Sequence, residues 1–541
     1  MKFHRQINYT ILFIVMIFAG LHSRSQVLKA ISFRHYIDTF NANDNEIYKQ
    51  HIPNSESWKF LEKNIPLFDC PDKQLEQTYY FRWWTFRKHI RKTPDGFVIT
   101  EFLPDVNWAG KYNTINCAAG HHIYEGRWLH NQEILKDYVN FWFKKGGSIR
   151  SYSTWIADAI YKYAETKNDF AFAKQLLPDL VNNFREWEKS NLTGEGLFWS
   201  VDDRDGMEMS VSGSGLRPTL NSYLYADALS ISKIAALSRN EDLAKEFAGK
   251  AAAIKLAVQE KLWDSKGSFF KVIPMKDKSH PVNTREDFTP YGSRNVREIL
   301  GYTPWYVNMV DSGYSIAWQH LLQKDGFYAP YGLTTTEQRH PGFQISYKDH
   351  ECQWNGPSWP FATSITLTAL ANVLHNQSQP YLTRKDYLSL LQTYSKAHTL
   401  KTENGKTLPW IDENLNPFTG DWISRSRLKT WDKGTWSNEK GGIERGKDYN
   451  HSTFCDLVIS GLVGLKASED NTLVVDPLVP ADEWAYFCLD NVQYHGRILT
   501  LMYDRTGRRY HKGKGFMIFV NNKKVASSPT VRKLVYQMQD E

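Results

Sequence analysis

The stretch from Ser200 to Leu229 reads SVDDRDGMEMSVSGSGLRPTLNSYLYADAL, and the rest of the chain is interpreted around it. It opens with three acidic residues, Asp202, Asp203 and Asp205, in a segment whose glycines predict a loop instead of a helix. Its second half predicts a helix from about Thr219 to Ala236, because apolar residues recur there at helical spacing. Pro218 stands near the first turn, where proline is tolerated. The stretch therefore predicts an acidic loop at the mouth of a buried helix.

Paired helices are predicted on both sides of this stretch. One apolar stripe runs from Tyr152 to Tyr163, and the next runs from Ala173 to Trp187. Further helical patterns follow at 243–262, 315–323, 358–375, 385–398 and 452–466. Long helices joined as hairpins, without the regular repeat of a solenoid, predict a mainly α protein whose fold is an (α/α)6 toroid. In that fold an inner ring of helices surrounds a cleft at one end.

The two ends of the chain differ from this helical part. Residues 1–25 predict a secretory signal peptide, since Lys2 and Arg5 precede the apolar run from Ile11 to Leu21. A retained anchor is the alternative. Residues 469–541 contain short β-rich runs separated by turn residues, which predict a small β-sandwich-like domain. The predicted division is thus a signal peptide at 1–25, the toroid at 26–468 and the β-rich domain at 469–541.

Charge and cysteine usage exclude several classes of function. The formal net charge of +7 falls by three when Lys2, Arg5 and Arg24 leave with the signal peptide, which is not the balance of a nucleic-acid-binding protein. The five cysteines form no metal-ligand pattern, and the His121-His122 pair matches no zinc signature. We therefore expect no metal ion, no cofactor, no nucleic acid and no membrane contact after signal removal, and we expect a monomer.

Aromatic residues make up 14% of the chain, which suits a cleft that stacks sugar rings, although a large aromatic core would account for many of them. The segment from Tyr79 to Leu129 mixes aromatic and polar residues with glycines, as in a lined pocket. Its candidate binding residues are Trp108, Tyr112, His121, His122 and Trp128.

Two later segments carry a family resemblance. QWNGPSWP at 353–360 resembles the WxGPxWP segment of glycoside hydrolase family 63 and the related mannosylglycerate-hydrolase-like enzymes. ENLNPFTG at 413–420 resembles their ExYNPxTG segment and departs from it only at Leu415. The resemblance covers Tyr79 to about Lys466 and implies an (α/α)6 toroid that hydrolyses an α-linked sugar with inversion. Because the glutamate of the second segment is the catalytic base in those enzymes, the resemblance implies that role for Glu413.

The acid of those enzymes lies in an earlier loop of the form ESGxDxSPR, ahead of a helix that reads LN-x-Y-L. The Ser200 to Leu229 stretch occupies that place, and Asp205 is the best match to the acid. The loop departs from the usual form, so Asp203 and Asp202 remain candidates, and Glu208 is a weaker one. Arg217 either holds a sugar hydroxyl or a substrate carboxylate, or it neutralises the acidic loop.

The residue chemistry agrees with this resemblance. Glycosidic cleavage needs one protonated carboxyl to help the leaving oxygen depart and one carboxylate to activate water or attack carbon. Two carboxyls from distant loops supply these parts, and the tryptophans beside them are candidate ring platforms: Trp354, Trp359, Trp410 and Trp422. The sequence thus predicts an exported, inverting glycoside hydrolase. The alternatives are a polysaccharide lyase that uses Tyr112, His121 and His122, or a glycan-binding protein without catalysis.

A long polar stretch from Arg425 to Tyr449 lies where the family usually has a short loop. Its lysines and glycines predict a mobile loop instead of a helix. We expect it to border the cleft as a lid or subsite wall and to alter substrate preference.

We predict that the protein made in its native host lacks about the first 25 residues, because a charged start followed by an apolar core is what signal peptidase processes. N-terminal sequencing of the mature protein checks this. Recovery of Met1 on the mature chain would show that the segment is retained.

Overall fold

The computed structural model describes residues 27–275, 295–347, 352–430, 442 and 444–539. The predicted signal peptide at 1–25 lies outside these residues, as does the middle of the Arg425 to Tyr449 stretch. Within the described ranges, no helix is both long enough and apolar enough to cross a lipid bilayer.

The helices form two concentric rings, as the toroid prediction requires. The inner ring consists of Ala119–Gly126, Ile156–Lys167, Pro218–Leu237, Thr303–Tyr306, Pro360–Asn376 and the π-helical turn Leu457–Leu462. Each of these contacts the next in that order. The outer ring consists of Lys73–His89, Glu133–Lys144, Phe170–Asn191, Glu241–Ala257, the 3-10 helix Ser312–His320 and Arg384–Ala397. Outside the rings lie Arg34–Ala42, Asn54–Asn64 and Ile423–Thr430.

The distribution of apolar residues explains which helices lie inside. Pro218–Leu237 is buried on nearly every side because other helices surround it. Its first residue is Pro218, which the sequence predicted to stand near the first turn. Phe170–Asn191 instead buries one stripe that includes Leu176, Leu180 and Phe184. A helix with a single apolar stripe packs on one side and faces solvent on the other.

Two carboxylates join the last inner element to the first. Glu125, at the end of Ala119–Gly126, accepts hydrogen bonds from the backbone N–H groups of Phe454, Cys455 and Asp456 at 2.8–3.1 Å. In return, the Asp456 carboxylate accepts from Arg127 Nη2 at 2.8 Å and from Trp128 Nε1 at 2.7 Å. Because both carboxylates are buried, these bonds close the ring where water cannot replace them.

The β-rich part begins at Leu465, slightly before the predicted boundary at 469. Its larger antiparallel sheet has the strand order Leu67–Asp69, Tyr486–Tyr494, Arg497–Asp504, Gly515–Val520 and Lys523–Ser528. Its smaller sheet contains Leu465–Lys466, Thr472–Val475 and Leu534–Gln537. A strand from the N-terminal part of the chain therefore completes the C-terminal sheet. The predicted helix at 452–466 is wrong in its last turn, because Gly464 at φ +78° leads directly into a strand.

Short strand pairs brace the loops of the toroid. They are Ile90–Thr93 with Gly96–Ile99, Trp199–Ser200 with Gly215–Leu216 and Ile273–Pro274, Trp263–Asp264 with Phe269–Phe270, Tyr328–Ala329 with Gly332–Leu333, and Thr399–Lys401 with Thr407–Pro409. The second of these sets matters most for function, because it holds both ends of the acidic loop that the sequence singled out.

We predict that Glu125→Ala lowers the free energy of unfolding by about 3 kcal/mol, because it leaves three buried N–H groups without an acceptor. Urea denaturation followed by tryptophan fluorescence measures the change. Glu260→Ala is the control, since Glu260 is an exposed glutamate in the helical region. Equal stability of the two variants would show that Glu125 does not hold the ring closed.

Candidate active site

A cavity of about 240 Å³ lies at one end of the toroid, enclosed by the loops that precede the inner helices. Six candidates from the sequence line it: Trp108, Asp203, Glu208, Trp354, Trp359 and Glu413. The other lining residues are Glu101, Phe102, Ile115, Cys117, Tyr152, Gly206, Cys352, Phe361, Arg445, Tyr449 and His451. The structure therefore brings the acidic loop, the QWNGPSWP segment and the ENLNPFTG segment to one place.

The acidic loop contains a short 3-10 turn, Asp203–Asp205, which the sequence did not predict. Asp202 caps this turn, because its Oδ1 accepts from the backbone N–H of Asp203 at 2.9 Å. Gly206 follows at φ +68°, a left-handed conformation that glycine adopts without strain. This turn leaves Asp203 and Glu208 on the cavity wall, while Asp202 and Asp205 face into the protein.

Asp205 does not line the cavity, contrary to its prediction as the acid. Its Oδ2 accepts from Arg217 Nε at 2.6 Å and from the Thr219 hydroxyl, and its Oδ1 accepts from Ser153 Oγ at 2.5 Å. The side chains of Asp205 and Arg217 are both fully buried. Arg217 also donates to Ser210 Oγ and to the backbone oxygen of Gly213, so it neutralises and braces the loop and does not reach a substrate in the cavity.

Glu208 is the carboxyl of this loop whose pKa is shifted by its surroundings. Burial raises the pKa of Glu208 well above its ordinary value, and the negative charges of Asp203, Asp202 and Glu413 raise it further. The Glu208 carbonyl accepts from the backbone N–H of Trp354 at 3.0 Å, which ties the acidic loop to the QWNGPSWP segment. Glu208 is therefore held in the cavity, and its environment favours the protonated carboxyl.

Glu413 has the opposite environment. Its Oε1 accepts from Arg445 Nε at 2.7 Å and lies 2.5 Å from Arg445 Nη2. Both side chains are almost completely buried, so water screens this ion pair very little. The Arg445 guanidinium also lies over the rings of Phe102 and Trp108, at 5.5 and 5.2 Å from their centroids. Arg445 thus stabilises the ionised form of Glu413.

A fourth carboxyl, Glu101, lines the same cavity. Burial, followed by the charge of Glu413, raises the pKa of Glu101 well above its usual value, although Arg445 opposes this. Its Oε1 accepts a hydrogen bond from the hydroxyl of Tyr449. Glu101, Arg445 and Tyr449 come from segments that the sequence analysis included only as parts of longer stretches. The sequence indicated them only by position. Glu101 lies in the mixed aromatic segment, and Arg445 and Tyr449 lie at the end of the Arg425 to Tyr449 stretch.

At the described end of that stretch, Arg445 and Tyr449 line the cavity. The start of the stretch is helical, contrary to the prediction of a loop, since the helix Ile423–Thr430 extends into it. Outside the cavity, Arg425 forms a two-point ion pair with Glu444 at 2.6 and 2.7 Å, and Lys447 Nζ lies 2.6 Å from Asp44 Oδ1. Residues 431–441 and 443, which are 12 of the 25 residues of the predicted lid, lie outside the described residues. An effect on substrate preference stays a prediction.

His121, His122 and Trp128 do not line the cavity, contrary to prediction. His121 packs edge-on between Trp155 and Phe361, and burial lowers the pKa of His121 well below its usual value. His122 bonds to the Tyr138 hydroxyl at 2.8 Å and to the backbone oxygen of Asn450. Trp128 is bonded to Asp456, as described above. These side chains support the segment behind the cavity, since mixed polar and aromatic sequence also occurs in a hydrogen-bonded core.

Tyr112 and Trp410 also lie elsewhere. The Tyr112 hydroxyl donates to Asp95 Oδ2 at 2.8 Å. Trp410 lines a separate small cavity of about 30 Å³ together with Asp44 and Lys447.

The lyase hypothesis named Tyr112, His121 and His122 as its functional groups, and none of the three lines the 240 Å³ cavity. Glu125, which follows the histidine pair, is bound to backbone N–H groups and does not serve as a metal ligand. No group of three or more potential metal-ligating side chains occurs among the residues that the structure describes.

Two family profiles and several solved structures match this chain. The profile of the mannosylglycerate hydrolase MGH1-like glycoside hydrolase domain matches residues 111–452, and that of the glycosyl hydrolase family 65 C-terminal domain matches residues 465–526. A solved structure named a sialidase is 39% identical over 94% of this chain and 44% of its own, with a TM-score of 0.84. This chain therefore spans less than half the length of that protein.

Two more distant solved structures are also similar to this chain. A family 78 rhamnosidase from a Bacillus species has a TM-score of 0.50 and 12% identity over 82% of this chain and 40% of its own. The family 63 mannosylglycerate hydrolase from Thermus thermophilus has a TM-score of 0.47 and 12% identity over 71% of this chain and 99% of its own. Since the first profile covers more than half of the sequence, the chain belongs to the mannosylglycerate hydrolase MGH1-like family of glycoside hydrolases.

Proposed function

We propose that this chain hydrolyses a glycosidic bond with inversion, using Glu208 as the general acid and Glu413 as the general base. One observation carries the proposal: two carboxyls in a single cavity have environments that favour opposite protonation states. Pairs of titratable groups whose surroundings separate their protonation in this way identify the acid and the base. Asp205, the match suggested by the family motif, lacks access to the same cavity.

Glu208 supplies the proton. Because its raised pKa keeps it protonated, it can donate to the glycosidic oxygen as the bond from that oxygen to the anomeric carbon breaks. The leaving group then departs as a neutral alcohol. Asp203 contributes indirectly, since its negative charge raises the pKa of Glu208. In this scheme Asp203 is a positioning residue for the acid.

Glu413 activates water. Its ionised carboxylate accepts one proton from a water molecule while the water oxygen forms a bond to the anomeric carbon. Arg445 stabilises the carboxylate before the reaction. Inversion requires room for that water, with carboxyl groups roughly 6.5–9.5 Å apart, against about 5–5.5 Å in retaining enzymes. The origin of Glu208 and Glu413 in loops before different inner helices supports such a separation.

Export is part of the proposal. The charged start and the apolar run from Ile11 to Leu21 support secretion, so the substrate would be met outside the cytoplasm. An α-linkage is supported by the family 63 resemblance alone. A monomeric state stays a prediction.

We predict that Glu208→Gln lowers kcat/KM on natural glycosides by roughly 10²–10⁴-fold, because the leaving oxygen loses its proton donor. The loss should be much smaller for aryl glycosides with acidic leaving groups, which need little protonation. Steady-state kinetics on both substrate classes checks this. Asp205→Asn is the control: by removing half of a buried ion pair it should lower thermal stability, with no dependence on the leaving group. A leaving-group dependence in Asp205→Asn and none in Glu208→Gln would reverse the assignment.

The same measurements test the role of Asp203 through pH. Activity falls as pH rises through the pKa of Glu208, because the acid must be protonated. Since the charge of Asp203 raises that pKa, Asp203→Asn should move the alkaline limb of kcat/KM to lower pH. An alkaline limb that does not move in Asp203→Asn would separate Asp203 from the acid.

The stereochemical prediction is that the first product has the opposite anomeric configuration to the substrate, because water attacks from the face opposite the leaving group. Proton NMR of the first turnovers, before mutarotation, gives the answer directly. A first product with the configuration of the substrate would falsify the assignment of Glu413 as a base.

A further inference from the structure

An open groove of about 590 Å³ lies outside the catalytic cavity, and no residue of the proposed mechanism lines it. Its volume is within the roughly 300–1,000 Å³ of small-molecule binding pockets. Its walls come from the outer helices Glu133–Lys144 and Phe170–Asn191 and from the loop at 147–151. Arg204, which belongs to the acidic loop, also lines it. The groove is therefore a separate surface that lies next to the loop carrying the proposed acid.

The groove and the catalytic cavity share a wall made of two chain segments. Ser151 and Arg204 line the groove, whereas their sequence neighbours Tyr152 and Asp203 line the cavity. Arg204 Nη1 donates to the backbone oxygen of Ser151 at 2.6 Å, and the backbone oxygen of Arg204 accepts from the N–H of Ser153 at 2.8 Å. These bonds join the two segments, so Arg204 is held on the groove side of the wall while Asp203 is held on the cavity side.

The groove carries positive charge that no carboxylate on its described walls balances. Its two arginines, Arg150 and Arg204, have neutral partners: Arg150 Nη1 donates to Asn183 Oδ1 at 3.3 Å, and Arg204 donates to a backbone oxygen. The one acidic residue among the described lining residues is Asp179, and Lys144 pairs with it at 2.5 Å. Two guanidinium groups are therefore available to an anionic ligand.

The uncharged lining residues suit a saccharide. Ser148, Asn182 and Asn183 carry hydroxyl and amide groups, which can donate to and accept from sugar hydroxyls. The half-buried ring of Phe143 adds apolar surface of the kind that packs against the face of a sugar ring. Asn183 is only 4% exposed, and its bond to Arg150 connects that exposed arginine to a buried group. The groove thus combines hydrogen-bonding groups, an apolar ring and two cations.

We propose that this groove is a second saccharide-binding site, which takes a carboxylate-bearing sugar and holds its carboxylate with Arg150 and Arg204. A guanidinium presents its N–H groups in a planar fork that matches the two oxygens of a carboxylate, so arginine is the side chain best suited to this role. The inference goes beyond the proposed function, because the ligand is bound outside the catalytic cavity and no bond is broken there. The site anchors the protein to an acidic saccharide.

Saturation-transfer NMR with the full-length protein tests the ligand class, using D-glucuronate and D-glucose as probes. The two sugars differ in the group at C6, so glucuronate should bind at least tenfold more tightly because only it offers a carboxylate to the arginines. Absence of glucuronate binding, or equal binding of the two sugars, would overturn the proposal. Displacement of glucuronate by an equal concentration of acetate or sulfate would also contradict it, because such a site would bind any small anion and would not recognise a sugar.

Arg150→Gln tests the position of the site. Arg150 is exposed, so the variant should fold, and its affinity for glucuronate should fall roughly tenfold because one charged contact is lost. Arg532→Gln is the matched control, since Arg532 is an exposed arginine in the C-terminal β-rich part and its loss should leave the affinity unchanged.

Glu208→Gln separates the groove from the catalytic cavity. It alters the cavity alone, so glucuronate should bind to this variant as it does to the wild type. Weaker binding in Glu208→Gln together with unchanged binding in Arg150→Gln would place the sugar in the catalytic cavity and refute the second site. Because these measurements follow binding and not hydrolysis, failure of the proposed glycosidase activity would not alter their outcome.

Discussion

The rest of the structure depends on the hydrogen bonds of two buried carboxylates, Glu125 and Asp456, which join the last inner element of the ring to the first. Glu125 satisfies three backbone N–H groups where the last inner element begins, and Asp456 satisfies donors where the first inner helix ends. Just before this junction, His89 and His122 bond to the backbone oxygens of Asp448 and Asn450. These bonds fix the segment that carries Tyr449 and His451 into the cavity. The contacts that close the ring therefore lie next to those that position this part of the cavity wall.

Two of the buried carboxylate–arginine pairs among the described residues differ in location. Asp205 with Arg217 lies inside the acidic loop and stabilises its turn, while Glu413 with Arg445 lies on the cavity wall. Removing one member of a buried pair is strongly destabilising, so both pairs constrain the fold. Only the second pair can contact a substrate in the cavity. Glu208, surrounded by negative charges, holds its proton because ionisation there would add another charge to a buried cluster.

The residues that line the cavity come from different loops of the toroid. The acid belongs to the loop before Pro218–Leu237, and the base belongs to the segment at 413–420. Three further lining residues, Glu101, Trp354 and His451, come from the loop before Ala119–Gly126, the segment before Pro360–Asn376 and the segment before Leu457–Leu462. The inner helices hold these loops at fixed positions.

The sequence by itself determined the helix pairs, the β-rich C-terminal part and the convergence of three motifs, because apolar spacing and motif order are local properties of the chain. It also identified Glu413, Asp203, Trp354 and Trp359, which do line the cavity. Only the tertiary structure decided which acidic residue of the loop reaches that cavity. Asp205 and Glu208 are three residues apart, and the 3-10 turn with Gly206 orients one inward to Arg217 and the other to the cavity. Likewise, His121 and His122 became supporting residues because burial and partners from distant segments, not residue type, determine what a polar side chain contacts.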